Sequence, residues 1–280
     1  MTRWLGRTAL AATGLCLIAS SLPAQVPGLS EGEAKCQSST GKALAKLVSN
    51  KAKCLGKCIK IARKTSGPYG GCFSPYTDPA TYACILDASK GAQARARASI
   101  VKKCSDEPGK DNCPECYEVS NCTTAEPFVT YELELEFLAT RIYCTEAGAG
   151  TPVAEVAKCE DAVAKALTKF VISKTKCFDE CNKGMQNGTI PLGSCNALIP
   201  SDVATHACIF DPTKGADPKA AASIDKACNT TGAKPGCYGP TLDTGAEWVG
   251  LMEAYSFTPP SLTSRWAQIY CGSPSGAFVN

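Results

Sequence analysis

Histidine is nearly missing from this chain, which has a single one, His206, in 280 residues. A lone histidine excludes multi-histidine metal sites and serial c-type haem attachment, because each attached haem needs its own Cys-x-x-Cys-His motif. The chain also lacks an excess of charge of one sign, since 29 Lys and Arg stand against 26 Asp and Glu. This balance argues against a dedicated nucleic-acid binder, whose domain is usually strongly basic. The hydrophobic share of 44% excludes a disordered chain.

Long apolar runs are confined to the N-terminus, where residues 1–24 are typical of a secretory signal peptide. Arg3 and Arg7 supply its positive start, and Ala9–Ser20 is an apolar stretch too short for a membrane helix. We expect cleavage after Ala24. Because no later stretch is long enough to span a bilayer, the sequence predicts a secreted or periplasmic protein with no transmembrane segment in the mature chain.

Cysteine, by contrast, is abundant. Cys16 leaves with the expected leader, and eighteen cysteines remain. An even count in an exported chain indicates a disulfide framework, because disulfides persist outside the cytosol. We expect disulfide bonds at Cys36, Cys54, Cys58, Cys72, Cys84, Cys104, Cys113, Cys116, Cys122, Cys144, Cys159, Cys177, Cys181, Cys195, Cys208, Cys228, Cys237 and Cys271.

The cysteines follow a spacing that occurs twice. Successive gaps are 18, 4, 14, 12, 20 and 9 residues from Cys36 to Cys113, and 18, 4, 14, 13, 20 and 9 from Cys159 to Cys237. The residues between them also agree: CILDASKGAQARARASIVKKC corresponds to CIFDPTKGADPKAAASIDKAC, and both copies close with Ile-Tyr-Cys. A fixed internal period is the signature of a repeated unit. We therefore predict two tandem domains, residues 25–147 and 148–280, with the small residues of segment 145–152 as linker.

The apolar spacing predicts helices, so the expected fold class is all-α: two tandem disulfide-rich domains, each a small bundle of three helices plus one short helix. A stripe at intervals of three, four or seven residues predicts a long helix over 33–64. Cys54 and Cys58 lie one above the other on its buried side. The expected stripe consists of Cys36, Thr40, Ala43, Leu47, Cys54, Cys58 and Ile61.

Capping residues predict where the shorter helices begin. Asp78 and Asp202 are expected N-caps of a short helix in each copy, with Pro79 suited to the first helical position. The next helix of the first copy spans 92–104, and its counterpart is expected to begin at Asp217-Pro218.

The last helix of each copy is expected to end at Cys144 and Cys271. The run Tyr131–Phe137 alternates apolar and charged residues as a strand does. A lone strand cannot satisfy its backbone hydrogen bonds, so we predict a helix there. The second copy must break at Pro259-Pro260.

Three antiparallel helices would gather five cysteines of the first copy at one end of the bundle and three at the other. Both numbers are odd, so one cysteine must cross, and Cys113 on a long loop is the candidate. Eight cysteines allow 105 connectivities, and the sequence does not choose among them. Our expected pairs are Cys36–Cys104, Cys54–Cys84, Cys58–Cys72 and Cys113–Cys144.

Two cysteines, Cys116 and Cys122, occur only in the first copy and could form one local bridge. An alternative stays open, because Cys116-Tyr117 resembles Cys237-Tyr238. In that alignment Cys113, and not Cys116, is the additional cysteine.

Two other cysteine chemistries compete with cross-linking. Cys113-Pro-Glu-Cys116 could perform thiol–disulfide exchange, but the βαβ context and helix N-terminus that favour a reactive thiol are not evident. A zinc or iron–sulfur site usually has tighter spacing than Cys54 and Cys58 provide, and export favours oxidation over thiolate ligation. We therefore expect no metal and no cofactor.

Catalytic residues are not expected either. His206 is replaced by Tyr82 in the other copy, so it is a poor candidate for a general base common to both, and no G-x-S-x-G nucleophile motif occurs.

The long helix of the first copy carries a basic face that could meet an anionic partner. The near-neutral total charge favours a merely solvated face. Its members are Lys42, Lys46, Lys53, Lys57, Lys60, Arg63 and Lys64.

The runs KALAKLVSNKAKCLGKC, DPATYAC and KGAQARARASIVKKC resemble exported bacterial Lys/Ala/Cys-rich helical repeat proteins. The resemblance extends over nearly the whole mature chain, twice, and implies an envelope or extracellular setting. It implies no activity and no site.

The expected function is that of a non-enzymatic exported protein that binds to, or forms part of, the cell envelope or extracellular space. Its partner would be an anionic envelope polymer or another exported protein, and not a nucleic acid. Two alternatives remain open. One is thiol–disulfide exchange at Cys113 and Cys116, and the other is binding of lipid or another small apolar ligand between helices.

Overall fold

The computed structural model of the chain describes residues 29–105, 112–114, 116–117, 119–125, 129, 133–144, 152–191, 193–195, 199–229, 233–254 and 269–271. Regular structure in these ranges is helical, and none of these residues lies in a β-strand, which confirms the all-α class. The α-helices are α1 (Glu31–Thr65), α2 (Pro79–Leu86), α3 (Ala92–Cys104), α4 (Val119–Thr124), α5 (Leu133–Ile142), α6 (Ala154–Gln186), α7 (Val203–Phe210), α8 (Ala216–Cys228) and α9 (Gly245–Ala254). Short 3-10 helices cover Gly70–Cys72, Gly236–Tyr238 and Pro240–Leu242.

The helix predicted over 33–64 is α1, and its ends are fixed by local hydrogen bonds. Ser30 and Glu33 form a capping box, in which each side chain accepts a hydrogen bond from the other residue's backbone N–H. The predicted stripe is buried except for Ile61, which is 51% exposed. The prediction was wrong at Ile61 because Ile59 and Ala62 occupy the buried side in the last turns of the helix.

The short helices α2 and α7 begin as predicted. Asp78 accepts the backbone N–H of Thr81 at 2.8 Å, and Asp202 accepts that of Thr205 at the same distance. Helix α3 spans its predicted range, but α8 begins before Asp217-Pro218. Its N-cap is Gly215, whose backbone N–H donates to the carbonyl oxygen of Asp211 at 2.8 Å and closes the turn after α7.

The alternating run Tyr131–Phe137 enters helix α5 at Leu133. The described part of this run is therefore helical, as predicted. Helix α9 was not predicted. Its start is marked in the sequence by Thr244 and Glu247, which form a second capping box. The signal peptide proposed for 1–24 and the break at Pro259-Pro260 lie outside the described residues.

Helices α1 and α6, which correspond to each other in the two repeats, pack antiparallel at the centre of the molecule. The end of α1 meets the start of α6 through Arg63 and Glu160, and the end of α6 meets the start of α1 through Gln186 and Gln37. These contacts relate the two repeats by an approximate two-fold axis.

The hydrophobic core is shared between the repeats. One cluster combines Ile59 and Leu138 with Val163 and Trp248, and a second combines Ile100 of the first repeat with residues such as Phe178 and Tyr270 of the second. The boundary at 147/148 is therefore not a boundary in the packing, and independent folding of the two repeats stays a prediction. No helix in the described part of the chain is both long and apolar enough to cross a bilayer.

Candidate functional site

The eighteen cysteines expected to be oxidised form nine disulfides. Each repeat uses three bridges to fasten its own helices, and the three in the first repeat are among the expected pairs. These are Cys36–Cys104, Cys54–Cys84 and Cys58–Cys72, with equivalents Cys159–Cys228, Cys177–Cys208 and Cys181–Cys195. The matching cysteine spacing of the two repeats therefore corresponds to the same three disulfides within each repeat.

The expected pair Cys113–Cys144 is wrong. Cys113 bonds to Cys122, nine residues away, and Cys144 bonds to Cys237 of the second repeat. This pairing also decides between the two alignments. Cys116 and Cys237 are the equivalent cysteines, and Cys113 with Cys122 is the local addition of the first repeat.

Two disulfides cross between the repeats, and they are reciprocal. Cys116 of the first repeat bonds to Cys271, the last cysteine of the second, while Cys237 of the second bonds to Cys144, the last cysteine of the first. In each bridge the earlier cysteine of one repeat, Cys116 or Cys237, is exposed. The last cysteine of the other repeat, Cys271 or Cys144, is buried. The two repeats therefore lock each other at two equivalent junctions.

A tyrosine hydrogen bond accompanies each junction. The phenol of Tyr117 donates to the carbonyl oxygen of Ile269 at 2.6 Å, and that of Tyr238 donates to Ile142 at 2.9 Å. Burial raises the pKa of both phenols well above the ordinary value. Each tyrosine thus stays neutral and satisfies a buried carbonyl of the opposite repeat.

Arg63 and Gln186 occupy equivalent positions at the two ends of the antiparallel helix pair, but Arg63 makes an ionic contact and Gln186 a neutral one. Arg63 donates to Glu160 at 2.5 Å and to Asp161 at 2.9 Å, while the corresponding Gln186 donates to Gln37 at 3.1 Å. Burial acts to lower the pKa of Arg63, but Tyr69 and the two carboxylates outweigh it and the pKa is raised. Arg63 is thus a fixed cation between the repeats and does not belong to the solvent-facing basic surface.

Buried lysines occupy the same position in the two long helices. Lys51 is 2% exposed and Lys174 is 1% exposed. Lys174 pairs with Glu253, and its ammonium lies 5.5 Å from the ring centroid of Phe170. Burial lowers the pKa of Lys174, although the carboxylate of Glu253 opposes this shift. Their burial was not predicted, although each of the two lysines lies about 160° around its helix from the exposed lysines, on the apolar side.

The residues considered for catalysis are not assembled into a site. Cys113 and Cys116 belong to different bridges, so the Cys-x-x-Cys segment is not an exchange disulfide. His206 is exposed on α7 and packs its ring against Phe210 at 5.1 Å. The thiolates that a zinc or iron–sulfur site would need are consumed in disulfides, and the described residues contain no group of His, Cys, Asp and Glu placed to hold a metal ion.

An apolar cavity lies between α1, α5, α6 and α9, where a ligand between helices would be expected. Its volume is about 40 Å³, and Leu55, Leu138 and Leu167 are among the residues that line it. Pockets for small molecules usually measure about 300–1,000 Å³. This cavity has room for one or two water molecules and not for a lipid chain.

The lysines of the basic face are exposed as the sequence suggested, except that Arg63 is withdrawn from it. Lys42, Lys46 and Lys53 are exposed, and so are Lys57, Lys60 and Lys64. Lys42 also approaches Asp179 at 3.8 Å. This surface is the largest set of exposed cations on any one of the described helices.

No protein-family model, curated protein or solved structure matches this chain. The fold and its cross-links nevertheless define a class. The protein is an all-helical, disulfide-stapled protein of the kind found in oxidising compartments outside the cytosol.

Proposed function

We propose that the protein is a non-enzymatic exported protein of the bacterial envelope or extracellular space, acting through binding or as a structural component. Its resemblance to exported Lys/Ala/Cys-rich repeat proteins and the signal-peptide pattern of residues 1–24 support this setting. The observation that carries the proposal is the reciprocal pair of bridges, Cys116–Cys271 and Cys144–Cys237.

These bridges argue for a rigid surface over a working active site. An enzyme commonly relies on loops or lids that move, whereas nine disulfides hold this chain in one arrangement. The buried charged groups Arg63, Glu160 and Lys174 are engaged in ion pairs that join helices. The disulfides and the buried ion pairs therefore both hold the helices in a fixed arrangement.

The competing proposals receive less support. Thiol–disulfide exchange needs a labile pair, and Cys113 and Cys116 are not bonded to each other. The apolar cavity beside Leu138 is many times too small for a lipid, and the larger pocket of about 380 Å³ beside Cys144 and Cys237 is lined by polar as well as apolar residues, among them Thr140, Arg141 and Thr241.

The test is made on protein harvested from its own producing cell without reductant. Alkylation before reduction should leave the intact mass unchanged, and alkylation after reduction should add eighteen alkyl groups to a chain that begins at Gln25. The protein should fractionate with the envelope or the medium. Free thiols in the freshly harvested protein, or a cytosolic location, would contradict the proposal.

A further inference from the structure

Charge is distributed very unevenly between the two long helices. Helix α1 contains eight lysines and one arginine against two glutamates, a net charge of +7, and both glutamates lie in its first turn. The equivalent helix α6 contains six lysines against five acidic residues, a net charge of +1. The full chain carries +3, so the 245 residues outside α1 sum to −4. The near-neutral total therefore conceals one strongly basic element.

The exposed lysines of α1 lie in a single file, which we call the lysine stripe. At 3.6 residues per turn they fall within an arc of about 60°, and the file is about 44 Å long. Beyond Glu33 no acidic residue interrupts the helix. The stripe consists of Lys35, Lys42, Lys46, Lys53, Lys57, Lys60 and Lys64, all of them exposed.

The buried side of the same helix fixes the stripe in place. Three disulfides leave α1 at Cys36, Cys54 and Cys58, and the capping box at Ser30 secures its start. A charged ligand would thus meet a straight row of cations whose helix needs no ordering on binding, which lowers the entropic cost of association.

We infer that the lysine stripe of α1 binds a linear, phosphate-bearing polyanion of the cell exterior. This inference rests on the proposed binding role and names its partner. A row of charges about 44 Å long matches an extended polymer and not a compact anion. Within a Debye length of about 8–10 Å each lysine reinforces its neighbours, so the row attracts a chain of charges more strongly than isolated lysines do.

The residue types fit phosphate and do not favour nucleic acid. Lysine binds phosphate as a point charge and needs no fixed orientation of the anion, unlike the two-pronged arginine side chain. The one arginine of α1, Arg63, is already bound to Glu160 and Asp161. Helix α1 has no aromatic residue on which a base could stack, and stacking is a main part of single-strand nucleic-acid binding.

The two repeats supply a matched pair of variants. In the first, Lys46, Lys53, Lys57 and Lys60 of α1 are changed to Gln. In the control, four exposed lysines of α6 are changed to Gln, so that the net charge falls equally; these are Lys158, Lys165, Lys169 and Lys176. A third variant replaces the four α1 lysines by Arg and keeps the charge. Thermal midpoints and thiol counts establish that each variant is folded and oxidised.

Binding of the oxidised protein to long-chain inorganic polyphosphate is measured as a function of salt. We expect the α1 glutamine variant to lose at least tenfold in affinity at low salt, while the α6 control loses less than threefold and the arginine variant retains binding. Each engaged lysine contributes about 0.7 to the slope of log K against log salt for a flexible single chain, so the slope should fall by about 3.

Several results would overturn the inference. These are equal losses in the α1 and α6 variants, binding to neutral dextran, or tighter binding of polygalacturonate or single-stranded DNA than of polyphosphate. If polyphosphate is not bound although the protein is exported and free of thiols, this inference fails and the proposed function stands. A reduced or cytosolic protein would instead contradict the proposed function.

Discussion

Gly91 and Gly215 occupy the N-caps of α3 and α8, where the chain turns tightly after the preceding short helix. A Cβ atom on Gly91 would lie 2.5 Å from the carbonyl oxygen of Asp87, and one on Gly215 would lie 2.6 Å from that of Ile209. These neighbours are backbone atoms, so they cannot rotate away. The same glycine in both repeats is thus required by a close approach of two chain segments.

We expect Gly91→Ala or Gly215→Ala to lower the free energy of unfolding by about 1–3 kcal/mol, the usual range for overpacking. Gly56→Ala in α1 is the matched control, because a Cβ there meets no atom within 4 Å. It should raise stability by about 0.5–1 kcal/mol through helix propensity. Thermal unfolding of the oxidised variants measures all three, and a neutral Gly91→Ala would show that the turn can relax.

The buried pair of Lys174 and Glu253 leads to a second prediction. Removing one member of a buried ion pair leaves the other without its partner, which costs about 3–5 kcal/mol, whereas replacing both is often neutral. Lys174→Met should therefore be strongly destabilising, and Lys174→Met with Glu253→Gln should recover most of the loss. A double variant no more stable than Lys174→Met would contradict this account.

The pH dependence of the pair has a defined sign. The pKa of Lys174 is lowered by burial from 10.5, so between its lowered pKa and pH 10.5 the unfolded chain binds more protons than the folded one. Its contribution to stability therefore rises with pH across that window, and the double variant should lack this rise.

At the scale of helices and their junctions, the two tyrosine hydrogen bonds predict that stability falls with rising pH, the opposite of the dependence predicted for Lys174. Tyr117 and Tyr238 keep their protons in the folded state well above pH 10, because burial disfavours the phenolate. Above pH 10 the unfolded chain releases these protons and the folded chain does not, so stability falls as pH rises. We expect the unfolding midpoint to drop as the pH rises above about 10, the pKa of an unfolded tyrosine.

The double variant Tyr117→Phe with Tyr238→Phe tests this origin. It should be less stable at neutral pH, by about 1–3 kcal/mol for each unsatisfied carbonyl. It should also lose a smaller share of its stability in alkali. Tyr82→Phe is the control, because Tyr82 is 51% exposed. An alkaline loss of stability unchanged in the double variant would place its cause elsewhere.

Element by element, the sequence predicts what is local and misses what is remote. The bounds of α3 and the caps at Asp78 and Asp202 follow from spacing along one helix, and the three expected bridges that the structure contains join helices of the same repeat. The pair Cys113–Cys144 failed because each repeat was assumed to close its own bridges. Cys113 bonds locally to Cys122, and the partner of Cys144 is Cys237 in the other repeat.

The site shows the same limit. Exposure of the lysine stripe follows from helical periodicity, since its members share one face of α1. Inward placement of Arg63 depends on Glu160, almost a hundred residues away, and no periodicity within α1 reports that contact. Burial of Lys51 and Lys174, by contrast, could have been predicted, because both lie on the apolar side of their helices, about 160° from the exposed lysines.

At the scale of the whole molecule, the shared core predicts one cooperative unit. Two double variants each remove one junction bridge: Cys116→Ser combined with Cys271→Ser, and Cys144→Ser combined with Cys237→Ser. A third variant removes the local bridge Cys113–Cys122 for comparison. Each junction variant should lose about 2–4 kcal/mol, and the local variant less, because the stabilisation grows with the length of the closed loop. Unfolding should remain a single transition even without both junctions, since α1 and α6 still pack together. Two resolved transitions would show that the repeats fold independently.

The reciprocal bridges also change what proteolysis can do to this chain. A cut at any peptide bond between Cys144 and Cys159 would sever the backbone and yet release neither half, because two sulfur–sulfur bonds still tether one to the other. Nicked material would migrate as a single species until reductant is added and only then separate into two fragments. Such a protein stays in one covalent piece after a cut in the segment that joins its two repeats.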